Sequence, residues 1–94
     1  AGHGDPMSDI APLCRATASR LQEIRDTALV ALDRPMEPYD VLRAVARHFD
    51  VAFTAPQFFL LSLTTVNAAL TSLQRHGQAK IVMVDNQMLW QAIR

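Results

Sequence analysis

The chain is 94 residues long, half of it hydrophobic and only 6% aromatic. That length fits one domain, and its core has to come from Leu, Val, Ile, Ala and Met, which favours helices over a β-sandwich. Nine basic and nine acidic residues cancel, which argues against a strongly electrostatic nucleic-acid binder unless the Arg and Lys gather on one face. The single cysteine, Cys14, excludes an intrachain disulfide and a Cys-rich zinc site and fits a reducing, cytoplasmic setting. No apolar run reaches the roughly 18–20 residues that span a bilayer. The opening residues lack the basic and apolar regions of a signal peptide.

Residues 1–7 (AGHGDPM) read as a tag remnant or a disordered start, with Met7 the native first residue and His3 set aside with it. Residues 8–94 read as a single domain. A long helix is expected from Ser8, capped by Ser8 or Asp9, with Pro12 in its first turn. Ile10, Leu13, Cys14, Leu21, Ile24, Ala28, Leu29 and Leu32 recur mostly at steps of three and four. This is one helix, or two with a break near Thr17–Ser19. The stripe is longer than a small monomer needs to cover. Ile10, Leu13, Cys14, Leu21 and Ile24 are therefore the expected homodimer interface, and pairing would help a domain of marginal size. Cys14 reads as a small core residue rather than a sensor thiol.

Asp33, Arg34 and Pro35 end this helix, because proline disfavours helical backbone at the residue before it. A second helix is predicted from Glu37–Pro38 through Phe49, with Tyr39, Leu42, Val45 and Phe49 on one face. In the segment 50–56, Thr54 suits an N-cap and Pro56 a first helical turn. QFFLL (57–61) is a short buried helix or an apolar strand, since periodicity cannot decide a run this short. Phe58, Phe59, Leu60 and Leu61 read as core, with a pocket or a dimer surface as the alternative. Ser62 or Thr64 then caps a further helix reaching about His76, with Val66, Ala69, Leu70 and Leu73 inside. Gly77 sits where a left-handed residue closes a helix. Ile81–Val84 and Met88–Ile93 are strands, and Asp85-Asn86 suits the type I′ turn between them. Trp90 is expected to plug the hairpin against the core.

The segment LVALDRPMEPYDVLRAV (29–45) resembles the stretch that leads into the second helix of PadR-type regulators, with Pro38 standing where they carry glycine. SLTTVNAALTSLQRHGQ (62–78) is similar to the recognition-helix signature of PadR-like, Fur-like and MarR-like proteins. The resemblance implies a mainly α fold with a small β-hairpin, a winged helix-turn-helix with a long N-terminal helix. It also implies groove-facing residues at Thr64, Thr65, Asn67, Ala68, Thr71 and Gln74, phosphate contacts from Arg75 and Lys80, and a wing tip of Asn86 and Gln87. Asn67 could bond adenine in two places, and threonine could meet a thymine methyl or, from a helix N-terminus, a phosphate. Asn67 and Ala68 depart from the Tyr and Arg that many relatives carry, and the metal ligands of the Fur-like group are absent.

Two functions compete. The first is a small sequence-specific DNA-binding regulator, a homodimeric repressor on a two-fold operator, with double-stranded DNA as partner and further cations from Arg43 and Arg47, or from Arg15, Arg20 and Arg25. The second is a winged-helix module that docks another protein and binds no DNA. A neutral balance and a recognition helix with a single cation favour the second. A weaker third reading is a ligand-responsive repressor with an apolar pocket at Phe53–Leu61. No cofactor, metal or membrane is implied. His48 and His76 lack a third ligand nearby. Asp26, Asp33, Glu37 and Asp40 are scattered beside arginines, and no nucleophile has a base, so catalysis has little support.

Overall fold

The computed structural model describes residues 18–93. Within them the chain forms α1 (Ala18–Ala31), α2 (Pro38–His48), α3 (Pro56–Arg75), β1 (Ala79–Val84) and β2 (Gln87–Ala92). The mainly helical class with one small hairpin is as expected. The predicted start of the first helix, with Ile10, Leu13 and Cys14, lies outside the described residues.

α1 ends before Asp33-Arg34-Pro35, and the Leu32 amide still bonds the Ala28 carbonyl at 3.1 Å. α2 starts where expected, with Pro38 in its first turn after Glu37 in extended backbone. Its buried stripe is Val41, Leu42, Val45 and Ala46. Tyr39, expected on that stripe, is 45% exposed and stacks on Phe59 with ring centroids 5.9 Å apart. α2 closes in a Schellman turn. Val51 N–H bonds the Ala46 carbonyl at 2.9 Å, and Asp50 holds a left-handed φ of 56°. Nothing in the segment 50–55 was legible as this cap, because the residue in the left-handed position is Asp rather than Gly.

The main correction concerns α3. Residues 57–61 are neither a separate short helix nor a strand, and neither Ser62 nor Thr64 caps anything. One helix of 20 residues runs through them all. From Gln57 to Arg75 there is no Gly or Pro to stop it, and two of its threonine hydroxyls bond backward along the helix instead of capping forward. Thr64 Oγ1 donates to the Leu60 carbonyl at 3.2 Å and Thr71 Oγ1 to the Asn67 carbonyl at 2.9 Å, the mid-helix habit of threonine. Its true start is Ala55, an N-cap without a side-chain bond, followed by Pro56. Thr54 is not the cap.

The C-terminus of α3 matches expectation. Gly77 takes φ 71°, its N–H bonds the Gln74 carbonyl at 3.1 Å, and Gln78 N–H bonds the Leu73 carbonyl at 2.8 Å. β1 and β2 then pair antiparallel, with Ile81 opposite Trp90 and Val84 opposite Gln87. Asp85 and Asn86 carry φ 51° and 64°, as a type I′ turn requires. Met36, between α1 and α2, bridges the far side of β2. Its N–H bonds the Trp90 carbonyl at 2.9 Å, and Trp90 N–H bonds the Met36 carbonyl at 2.7 Å.

The core joins Ile24, Ala28 and Leu32 to Val41, Leu42 and Val45, to Val66, Ala69, Leu70 and Leu73, and to Ala79 and Trp90. Ile24, expected at a dimer interface, is 1% exposed within this chain's own core, so it cannot face a partner unless that core opens. Leu21 is half-buried.

A Cβ at Gly77 would meet nothing within 4 Å, so the cost of adding one is conformational alone. Gly77→Ala is expected to destabilise by about 1 kcal/mol, the usual penalty of left-handed backbone for an L-residue. Urea denaturation followed by circular dichroism measures it. A neutral result would show that the α3–β1 corner can be rebuilt without left-handed backbone.

Candidate interaction surface

The outer face of α3 follows from its buried one. With Ser62, Val66, Ala69, Leu70 and Leu73 inside, helical geometry turns Gln57, Leu60, Leu61, Thr64, Ala68, Thr71 and Arg75 outward. Leu60 and Leu61, expected in the core, are 57% and 48% exposed. Of the DNA-facing residues implied by the resemblance, Thr64, Asn67, Ala68, Gln74 and Arg75 are exposed on α3, while Thr65 and Thr71 are half-buried. Thr65 shares the flank of Ser72, which faces α1: Arg25 Nη1 donates to Ser72 Oγ at 3.5 Å.

Lys80 is exposed at the base of β1, and Asn86 and Gln87 are exposed at the turn. Gln87 is not a free wing-tip group, since its Nε2 donates to Glu37 Oε1 at 3.2 Å and ties the hairpin to the start of α2. Asp85 stands beside Asn86 in the same turn. Most of the implied residues are thus exposed, and Arg75 and Lys80 are the cations among them.

Of the arginines that could have added charge, Arg47 is exposed on α2 with no ion pair among the described residues, while Arg20, Arg25 and Arg43 are engaged elsewhere. Arg20 lies 4.9 Å over the Phe49 ring and 3.5 Å from Glu23 Oε1. Arg25 Nη2 donates to Gln22 Oε1 at 2.6 Å. Arg43 pairs with Asp40 at 2.8 Å. Arg15 lies outside the described residues. His48, placed by sequence at a helix end, sits 3.0 Å from Glu23 Oε2.

What the surface has instead is apolar. On the hairpin Ile81, Met83, Val84 and Met88 are 38–66% exposed. Ile81, Met83 and Met88 share the face of the buried Trp90, and continue it beyond the core. Near the start of α3, Phe53 meets Phe59 edge-on at 5.4 Å. Phe53, Thr54, Ala55, Pro56 and Phe59 line an open depression of about 320 Å³. No group of three His, Cys, Asp or Glu able to hold a metal occurs among the described residues, and none of their helices is long and apolar enough to cross a membrane. No protein-family model, no curated protein and no solved structure matches the chain.

Sequence reasoning missed the apolar hairpin surface and gave an exposed Leu60–Leu61 pair only as the alternative to core. The signal was visible, since AKIVMV lacks alternation and carries apolar residues on both strand faces, and a half-buried strand should carry them on one.

Ser62 distinguishes the continuous helix from a capped one. Its side chain is fully buried and its Oγ has no hydrogen-bond partner. A capping serine changed to alanine loses about 1 kcal/mol, whereas a buried, unsatisfied hydroxyl costs about 1–3 kcal/mol to keep. Ser62→Ala is therefore expected to raise the thermal midpoint. A drop on calorimetry would restore a helix start at this position.

Proposed function

We propose that this chain is a winged-helix-type module that works by docking protein rather than by reading DNA. The order α1, Met36 bridge, α2, α3, hairpin supports the winged-helix reading, with β1 and β2 as the wing. The observation that carries the docking function is the character of the exposed side. Leu60 and Leu61 on α3, and Ile81, Met83, Val84 and Met88 on the hairpin, lie open to solvent. This many exposed large apolar side chains on a small domain point to an interaction site.

Charge points the same way. Phosphate contacts supply most of the affinity of DNA readers, and Asp85 sits at the turn where a wing would meet phosphate. Anion-binding helix N-termini use free N–H groups. Around Thr64 and Thr65 those groups lie mid-helix, within α3's own ladder, so the threonines do not stand at a helix end.

The second reading is a sequence-specific DNA-binding regulator acting as a homodimeric repressor. It is favoured by Asn67, Arg75 and Lys80, which are exposed near one another in sequence with no ion pair to either cation among the described residues.

A fluorescence titration with random and genomic DNA fragments at two salt concentrations separates the two. The docking reading expects no saturable binding with a sequence preference. Specific binding that weakens steeply with salt, and is lost in Asn67→Ala, would replace it with the DNA reading.

A further inference from the structure

The backbone of the hairpin identifies which edge is open. Trp90 uses both its N–H and its carbonyl on Met36, away from β1. In an antiparallel pair, a residue whose backbone groups face outward stands opposite one that also faces outward. Ile81, the partner of Trp90, therefore aims its N–H and carbonyl away from β2. By the two-residue period the same holds for Ala79 and Met83. Among the described residues no hydrogen bond reaches the backbone of Ile81 or Met83 from that side. The two edges of the hairpin thus differ: β2 is bridged by Met36, while β1 is open at Ile81 and Met83 beyond the buried Ala79.

We propose that the open edge of β1 pairs antiparallel with β1 of a second copy, giving a four-stranded sheet in the order β2, β1, β1, β2. The proposal rests on reading this surface as a protein-docking one, and it names the partner.

Three features select a second copy. First, the edge is self-compatible. With Ile81 opposite the partner's Ile81, that pair exchanges two backbone bonds about the axis. Second, charge fits a two-fold axis. In that register Lys80, the one charged residue of β1, stands opposite the partner's Val82. A shift that set it against the partner's Lys80 would be opposed by like charge. Antiparallel pairing also carries the turn end of one strand to the α3 end of the other. Asp85 then lies by the partner's Gly77, next to the partner's Arg75 and His76. Third, the apolar stripe closes. Ile81 and Met83, 38% and 66% exposed, would continue across the axis onto their own copies, on the face that Trp90 anchors.

The test is sedimentation equilibrium over a concentration series, with amide hydrogen exchange by NMR on the same protein. The expected wild type reaches twice its 10.4 kDa mass. As it does so, the Ile81 amide becomes protected, while Val82 and Val84, already bonded to β2, stay protected throughout. Ile81→Pro removes only an outward N–H, so the hairpin tolerates it, and the variant is expected to sediment as a monomer with unchanged circular dichroism. Asp85→Lys, which touches no hairpin bond, is expected to weaken dimerisation about tenfold by placing like charge beside the partner's Arg75, a factor of ten being a modest coupling of close charges.

A wild type that stays monomeric at millimolar concentration would overturn the proposal. So would a dimer that survives Ile81→Pro or leaves the Ile81 amide unprotected. Should Ile81→Pro fail to fold, amide protection and Asp85→Lys decide. A dimer formed through α1 sinks this interface and leaves the docking function standing. A β1-paired dimer that binds DNA specifically does the reverse.

Discussion

The structure is organised around one uninterrupted helix. α3 presents Ser62, Val66, Ala69, Leu70 and Leu73 as a single inward face over most of its length, and both α1 and α2 pack against it. A fully buried Val or Leu contributes roughly 1.5–3 kcal/mol by leaving water, so this stripe supplies much of what a small domain has available. The helix also sets the direction of everything after it. Gly77 turns the chain in left-handed backbone, β1 leaves that corner, and β2 returns to lay Trp90 over the core beside Ala79. Met36 then ties β2 back to the α1–α2 connection. Each element is positioned relative to α3 by apolar packing or by a backbone bond, and the surface ion pairs add little.

Continuity has a chemical consequence for the outer face. A helix interrupted near Ser62 would have exposed a fresh set of N–H groups and the positive end of its dipole at Thr64 and Thr65. Fused, α3 places that end at Pro56, in the neighbourhood of Phe53, Phe59 and the stacked Tyr39. The electrostatic feature moves about a dozen Å along the axis, at 1.5 Å rise per residue, from a polar segment to an aromatic one. Thr64 and Thr71 meanwhile give their hydroxyl protons to carbonyls of their own helix. The face that resembles a recognition helix in sequence keeps the spacing of one and loses its charge at the start.

Most of the fold was legible because it rests on strong local signals. Pro35 and Pro38 frame the gap between α1 and α2, Gly77 ends α3, and Asp85-Asn86 makes the turn; each acts through its own φ preference. The stripe Val66–Ala69–Leu70–Leu73 was readable from its period. What escaped the sequence depended on competition. Ser62 and Thr64 have side chains that cap helices well, but capping needs a chain already leaving helical backbone, and Pro56 had started the helix two turns earlier. QFFLL is apolar enough to suggest burial of every residue, yet a helix can turn only part of its circumference inward, so Leu60 and Leu61 fall outside. Tyr39 left its predicted stripe because a ring on α3, not the α2 core, was the partner at stacking distance. The Met36 bridge joins residues 54 positions apart, and no local pattern marks it. The candidate surface was legible as a set of positions, and its apolar character emerged only with the exposures.

The asymmetry of the hairpin bears on how this surface is kept in solution. Sheets in monomeric proteins commonly protect their edges with lysines, prolines, bulges or a covering segment. β2 has such cover in Met36. β1 has no proline or bulge, one lysine at its base, and the composition Ala, Ile, Val, Met, Val otherwise. Alternating faces offer no relief, because Ile81 and Met83 lie on one and Val82 and Val84 on the other. If that edge served only to hold β2 in place, charged residues at Met83 or Val84 would do as well, since both are about half exposed or more and support little core. Apolar side chains at exposed positions are costly to leave in water, and pairing of this edge would cover part of them. The hairpin is thus built in two parts. Its base belongs to the core through Ala79 and Trp90, and its outer half has the chemistry of an interface.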